Sequence, residues 1–128
     1  MKTSSEKPPM WDECCTKFGA ENLENAIFTY GDTVYNVKEP LSKQMEAHEA
    51  IHMKQQGDEP EKWWTKYLVN ETFRINQEAE AYGAQYAYVC KMTTNSRDRA
   101  RILMTMCHQL CKLGDITYAQ ASKLIYEN

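Results

Sequence analysis

No run of apolar residues in the 128-residue chain approaches the roughly 20 that carry a helix across a bilayer, so a membrane-spanning protein is not expected. The amino terminus, MKTSSEKPPMWDECC, has a lysine but no apolar stretch behind it, and does not read as a secretory signal. An excess of positive charge is also missing. The formal net charge is −3, and the basic residues are scattered apart from Arg97, Arg99 and Arg101, which have Asp98 among them. Such a cluster reads as a solvated helix face, and no nucleic-acid partner is expected. The cysteines number five, at positions 14, 15, 90, 107 and 111, an odd count that does not build the disulfide framework of a small secreted domain. Reduced thiols fit better, and with them a cytoplasmic location. What remains is ordinary for a soluble globular protein, with 42% apolar and 26% charged residues. The length suits one domain, expected over residues 9–128, after a polar, proline-ended tail over residues 1–8 that is expected to be disordered.

Histidine is scarce, with three in all, and two of the three sit in one five-residue pattern. In LSKQMEAHEAIHMKQQ, Leu41 to Gln56, the order His48-Glu49-x-x-His52 lies on a segment with helical periodicity: Leu41, Met45, His48, Ile51, His52 and Gln55 recur at steps of three and four. Pro40 precedes the segment and Gly57 follows it, a plausible start and stop. Residues four apart on a helix share a face, so both imidazoles can point at one metal ion. Zinc held by two histidines and a third ligand keeps a position open for water, and the adjacent Glu49 carboxylate can take that water's proton.

Along the rest of the chain, Trp11, Cys14, Cys15 and Phe18 form one stripe of a short helix that Gly19 can end. The adjacent Cys14 and Cys15 are a poor chelate and read as small packing residues. Ala26 to Val37 carries the one convincing β signal, a hairpin turning at Gly31-Asp32 with strands near 26–30 and 33–37. It can serve as an edge to which an extended peptide adds, or simply cover the core. Pro60 opens a helix whose Trp63, Trp64, Tyr67 and Leu68 read as core. Glu71 to Met92 is a long helix with Phe73, Glu78, Ala81, Tyr82, Gln85, Tyr86 and Val89 on one face. Glu78 and Glu80 point to nearly opposite sides. Glu78 shares the stripe of Ala81, Tyr82 and Tyr86 and is the expected third ligand, with Glu80 exposed. Thr94-Asn95-Ser96 breaks this helix and can cap the next, over Arg97 to Leu113, which Gly114 ends. Cys107 and Cys111 lie against its apolar side, and His108 is expected at the surface. Thr117-x-x-Gln120 opens a last helix through Tyr126. The expected fold is therefore α+β and mostly helical, with about six helices and one small β-hairpin.

The segment His48-Glu49-Ala50-Ile51-His52, followed by Glu78-Ala79-Glu80-Ala81, resembles the zincin-like metallopeptidases of the gluzincin type. The run with Gln55-Gln56, the WW-x-x-YL segment and FR-x-x-QE-x-EAY is similar to small phage and bacterial metallopeptidase-like proteins, over about Thr29 to Tyr86. The resemblance implies a zincin-like domain in a bacterial or phage-infected cytoplasm, with a peptide or protein substrate. It implies zinc on His48, His52 and Glu78, with Glu49 as general base. Tyr82 stands where many relatives carry an aspartate that orients a ligand histidine. The metzincin class does not fit, because Gln55 and Asp58 occupy its glycine and histidine positions. Tyr67, Tyr82, Tyr86 and Arg74 are the expected set from which an oxyanion donor would come. Two other readings stand beside the hydrolase. One is a zinc-binding interaction module without turnover, and the other is a metal-free helical phage assembly protein.

Overall fold

The helices begin and end where the local side chains satisfy the backbone. In the computed structural model, which describes residues 1–128, the order is β1 (Lys2–Thr3), α1 (Trp11–Phe18), a short turn of 3-10 helix (Ala20–Asn22), β2 (Phe28–Tyr30) and β3 (Thr33–Tyr35). Then follow α2 (Lys43–Gln56), α3 (Pro60–Val69), α4 (Glu71–Met92), α5 (Ser96–Cys111) and α6 (Tyr118–Tyr126). The fold is a mostly helical α+β arrangement, as the periodicities suggest. Ser42 caps α2 by accepting from the Met45 N–H, and Gly57 stops it at φ 57°. Asn70 and Asn95 cap α4 and α5, and Thr117 with Gln120 forms a reciprocal capping box on α6. One expected stop differs. Helix α5 ends at Cys111 with Lys112 as its cap, and Gly114 serves close packing instead: a Cβ there would lie 2.7 Å from Cγ of Glu71.

The amino-terminal tail corrects the expectation of disorder over residues 1–8. Lys2 and Thr3 pair in parallel with Thr33 and Val34, giving a three-stranded sheet in the order β1-β3-β2. Backbone bonds continue the pairing: Ser4 N–H donates to the Val34 carbonyl at 2.9 Å, and Asn36 N–H to the Glu6 carbonyl at 2.8 Å. The open edge of β3 supplies these partners, and an unpaired backbone is costly wherever water is displaced.

The apolar interior comes in two pieces. Ile75, Leu103, Met106, Leu110 and Ile125 join α4, α5 and α6. Met10, Cys14, Phe28, Trp63, Trp64 and Tyr67 join α1, β2 and α3. Full burial of a side chain such as Leu110 or Ile125 contributes about 1.5–3 kcal/mol. Helix α2 packs along α4, yet the residues it buries, His48, Glu49, His52 and Gln56, are all polar. Burying such groups is unfavourable unless each finds a partner. Each does, since no buried side-chain nitrogen or oxygen is left unpaired.

Candidate metal centre

The partners of the α2 polar face define the site. His48 and His52 stand one turn apart and turn their Nε2 atoms toward Glu78 of α4. Oε1 of Glu78 lies 3.2 Å from His48 Nε2 and 3.0 Å from His52 Nε2, and the two Nε2 atoms are 3.2 Å apart. The helical period thus brings together the three residues expected as ligands. Glu80, two residues from Glu78, points away and is exposed, so it does not join them. His108 is also exposed and lies beside the Tyr118 ring.

The far side of each imidazole fixes which nitrogen is free. His52 Nδ1 lies 2.9 Å from Gln55 Oε1. The Gln55 amide nitrogen donates to the Gln77 carbonyl at 3.0 Å and to Glu80 Oε1 at 2.9 Å, so its oxygen must face the ring and Nδ1–H is the donor. His48 Nδ1 lies 3.0 Å from Gln85 Oε1, and the Gln85 amide donates to Gln44 Oε1 at 2.9 Å. A neutral ring bonded in this way keeps its lone pair on Nε2. Two lone pairs and a carboxylate oxygen then crowd one point, an arrangement that calls for a cation there, either a proton or a metal ion.

The donor set fits a metal. Tetrahedral zinc with bonds of about 2.0–2.1 Å spaces its ligands about 3.3 Å apart, close to the observed 3.0–3.2 Å. Without the metal, a proton takes its place. Burial works against a charged His52, but the adjoining Glu78 carboxylate overrides it and raises the ring to about 9. Burial likewise opposes the Glu78 anion, yet His52 and His48 hold its carboxyl well below the usual range.

Around these three, the structure sorts the remaining expected residues. Glu49 is buried, and its Oε2 accepts from the Thr29 hydroxyl of β2 at 2.7 Å. Its other oxygen has no hydrogen bond and, since no fully buried polar atom is unpaired, it opens on the cavity that the site lines. Tyr67 donates to Glu78 Oε2 at 2.5 Å. Burial, then the Glu78 charge, pushes its phenol well above its ordinary range. The Tyr82 ring packs edge-on against His48 at 4.6 Å, and its hydroxyl makes no protein hydrogen bond and reaches the same cavity. Tyr82 therefore does not orient His48, whose Nδ1 is taken by Gln85.

Two expected oxyanion donors stand elsewhere. Tyr86 packs on Tyr126, and Arg74 is spent on the carbonyls of Leu113, Tyr67 and Leu68. Tyr86 is turned round the helix toward α6, whereas Arg74 lies one turn before Glu78 along the axis and meets the end of α3 and the α5–α6 turn instead. The cavity measures about 820 Å³, with Ile27, Phe28, Trp63 and Trp64 among its walls. The hairpin borders it, but the outward carbonyl of Thr29 already accepts from Gln56 at 2.7 Å and Trp64 at 2.8 Å. The edge is therefore filled at that point.

Sequence reasoning passed over Gln55, Gln85 and Thr29 as site residues. Gln55 and Gln85 lay on the right stripes, one turn beyond His52 and two turns beyond Glu78. Spacing alone gave them no chemistry. No protein-family model, no curated protein and no solved structure matches this chain, and the reading of the site rests on its own geometry.

Proposed function

We propose that the protein is a zinc-dependent metallopeptidase, with His48, His52 and Glu78 as metal ligands and Glu49 as general base. The observation that carries this reading is the convergence of two lone-pair-bearing Nε2 atoms and one carboxylate oxygen within 3.0–3.2 Å, beside a carboxylate open to a cavity. Zinc bound there would supply Lewis acidity, bringing the pKa of a water down toward neutrality and polarising a carbonyl. The free oxygen of Glu49 takes the proton of the attacking water and returns it to the leaving amine as the peptide C–N bond breaks. The Thr29 hydroxyl holds the other oxygen and so fixes the carboxylate plane. Tyr82 is the donor best placed for the developing oxyanion. Burial and the charges of Glu78 and Glu49 keep its phenol protonated, and its hydroxyl is uncommitted. The apolar walls of the cavity suit a short peptide stretch with large apolar side chains.

A second reading, a zinc-binding module without turnover, is favoured by the filled edge at Thr29, where an extended substrate would otherwise pair. One experiment addresses both. Protein purified without an affinity tag should carry close to one equivalent of zinc. Glu49→Gln should keep the zinc and lose hydrolysis of a mixed peptide library, whereas His48→Ala should lose the zinc. Metal in the wild type with no cleavage of any peptide supports the second reading, and retention of metal and activity by both variants removes the first.

A further inference from the structure

We infer that Gln55 and Gln85 are the positioning residues of the metal centre, and that Gln55 acts in a chain running from His52 to the surface carboxylate of Glu80. The inference rests on the reading of His48, His52 and Glu78 as ligands. Each imidazole has two nitrogens, and only one set of ring orientations aims both Nε2 atoms at Glu78. Neutral amide oxygens set it, with Gln55 on His52 at 2.9 Å and Gln85 on His48 at 3.0 Å. The two braces are not equivalent. Gln55 is held by two acceptors, the Gln77 carbonyl and Glu80 Oε1, which admit only one orientation of its amide. Gln85 is held by Gln44 alone. The carboxylate that stabilises the His52 N–H bond thus lies one amide away from the ring, and its charge is passed on by polarising the Gln55 carbonyl rather than by direct contact. Glu80 therefore has a role other than the surface charge or alternative ligand that its place in the sequence suggests.

The test uses the full chain and zinc itself. Zinc dissociation constants are measured by competition with a chromophoric chelator, alongside melting temperatures of the metal-free forms. Gln55→Leu and Gln85→Leu remove the acceptor and should each weaken zinc binding about 10–100-fold. Gln55→Glu alone should also bind weakly, because its carboxylate would face Glu80 and the Gln77 carbonyl with no proton to give. Gln55→Glu combined with Glu80→Gln reverses donor and acceptor between the two residues and keeps the His52 bond, leaving only the Gln77 carbonyl without its donor, and should bind zinc at least about 10-fold more tightly than Gln55→Glu alone. A merely structural role would not produce that rescue. Leucine variants that bind as the wild type does, or a double variant no better than Gln55→Glu alone, overturn the inference. Should Gln55→Leu fail to fold, Gln85→Leu and the double variant decide. A wild type that takes up no zinc overturns the ligand reading itself, and is recognised before any variant is compared.

Discussion

Two tyrosines that share the cavity differ in what their hydroxyls already do, and the difference gives opposite expectations. Tyr67 spends its proton on Glu78, so Tyr67→Phe should loosen zinc by about 10-fold through the ligand it holds. Tyr82 has no partner, so under the proposed hydrolysis Tyr82→Phe should leave zinc uptake within a few-fold and lower kcat by about 100–1,000-fold, the scale of one oxyanion donor. Metal titration and peptide kinetics on the two variants separate these effects. The proton that stands in for the metal gives a pH signature. In the metal-free chain His52 titrates near 9 against an ordinary 6.5, so its ion pair contributes stability that is complete below about 6.5 and lost as the pH rises through about 9. Glu78 has the opposite sign, since its depressed pKa gives stability present above the usual carboxylate range and lost on acidification. The melting temperature of metal-free protein should therefore fall between pH 7 and 9.5, and zinc uptake at pH 7 should release about one proton per ion, as calorimetry in buffers of differing ionisation enthalpy would register. A flat melting profile over that range would contradict it. His48, His52 and Glu78 were legible because period and residue type coincide. Gln55, Gln85 and Thr29 were not, because a neutral side chain acquires its role only when a particular partner from a distant element arrives.

The elements repeat that lesson. The motif helix, the hairpin around Gly31-Asp32 and the Thr117 capping box could be read because each is specified by residues within one or two turns. Strand β1 could not, since two residues carry no alternation and its pairing depends on β3, some thirty residues onward. Asn36 belongs to the same class. It adopts φ 63°, and its amide donates to the carbonyls of Leu23, Glu24 and Ala26 at 3.4, 3.2 and 2.7 Å while its oxygen accepts from Lys7. These bonds hold the segment that leads into β2 and the rim of the cavity. Asn36→Ala leaves three carbonyls short of a donor in a strained backbone, and should cost about 2–3 kcal/mol in denaturant unfolding.

Across the whole molecule, a polar seam lies between two apolar clusters, with α2 on one side and α4 on the other. An ion binding only the folded chain stabilises it by RT ln(1 + [L]/Kd), about 4 kcal/mol at a thousandfold excess over Kd. For 128 residues that raises the melting temperature by about 10–20 °C, a shift that chelator should abolish and that His52→Ala should never show. Because the fully buried side chains of α2 are all polar, its docking relies largely on contacts that water can replace one at a time. On losing the ion, His48 to Gln55 should exchange amide hydrogens through a partial opening, while Leu103 to Leu110 still wait for global unfolding. The cation would then act as a latch, and an unloaded copy would present its loosened helix to cellular proteases, so that turnover in the cell selects for the loaded form.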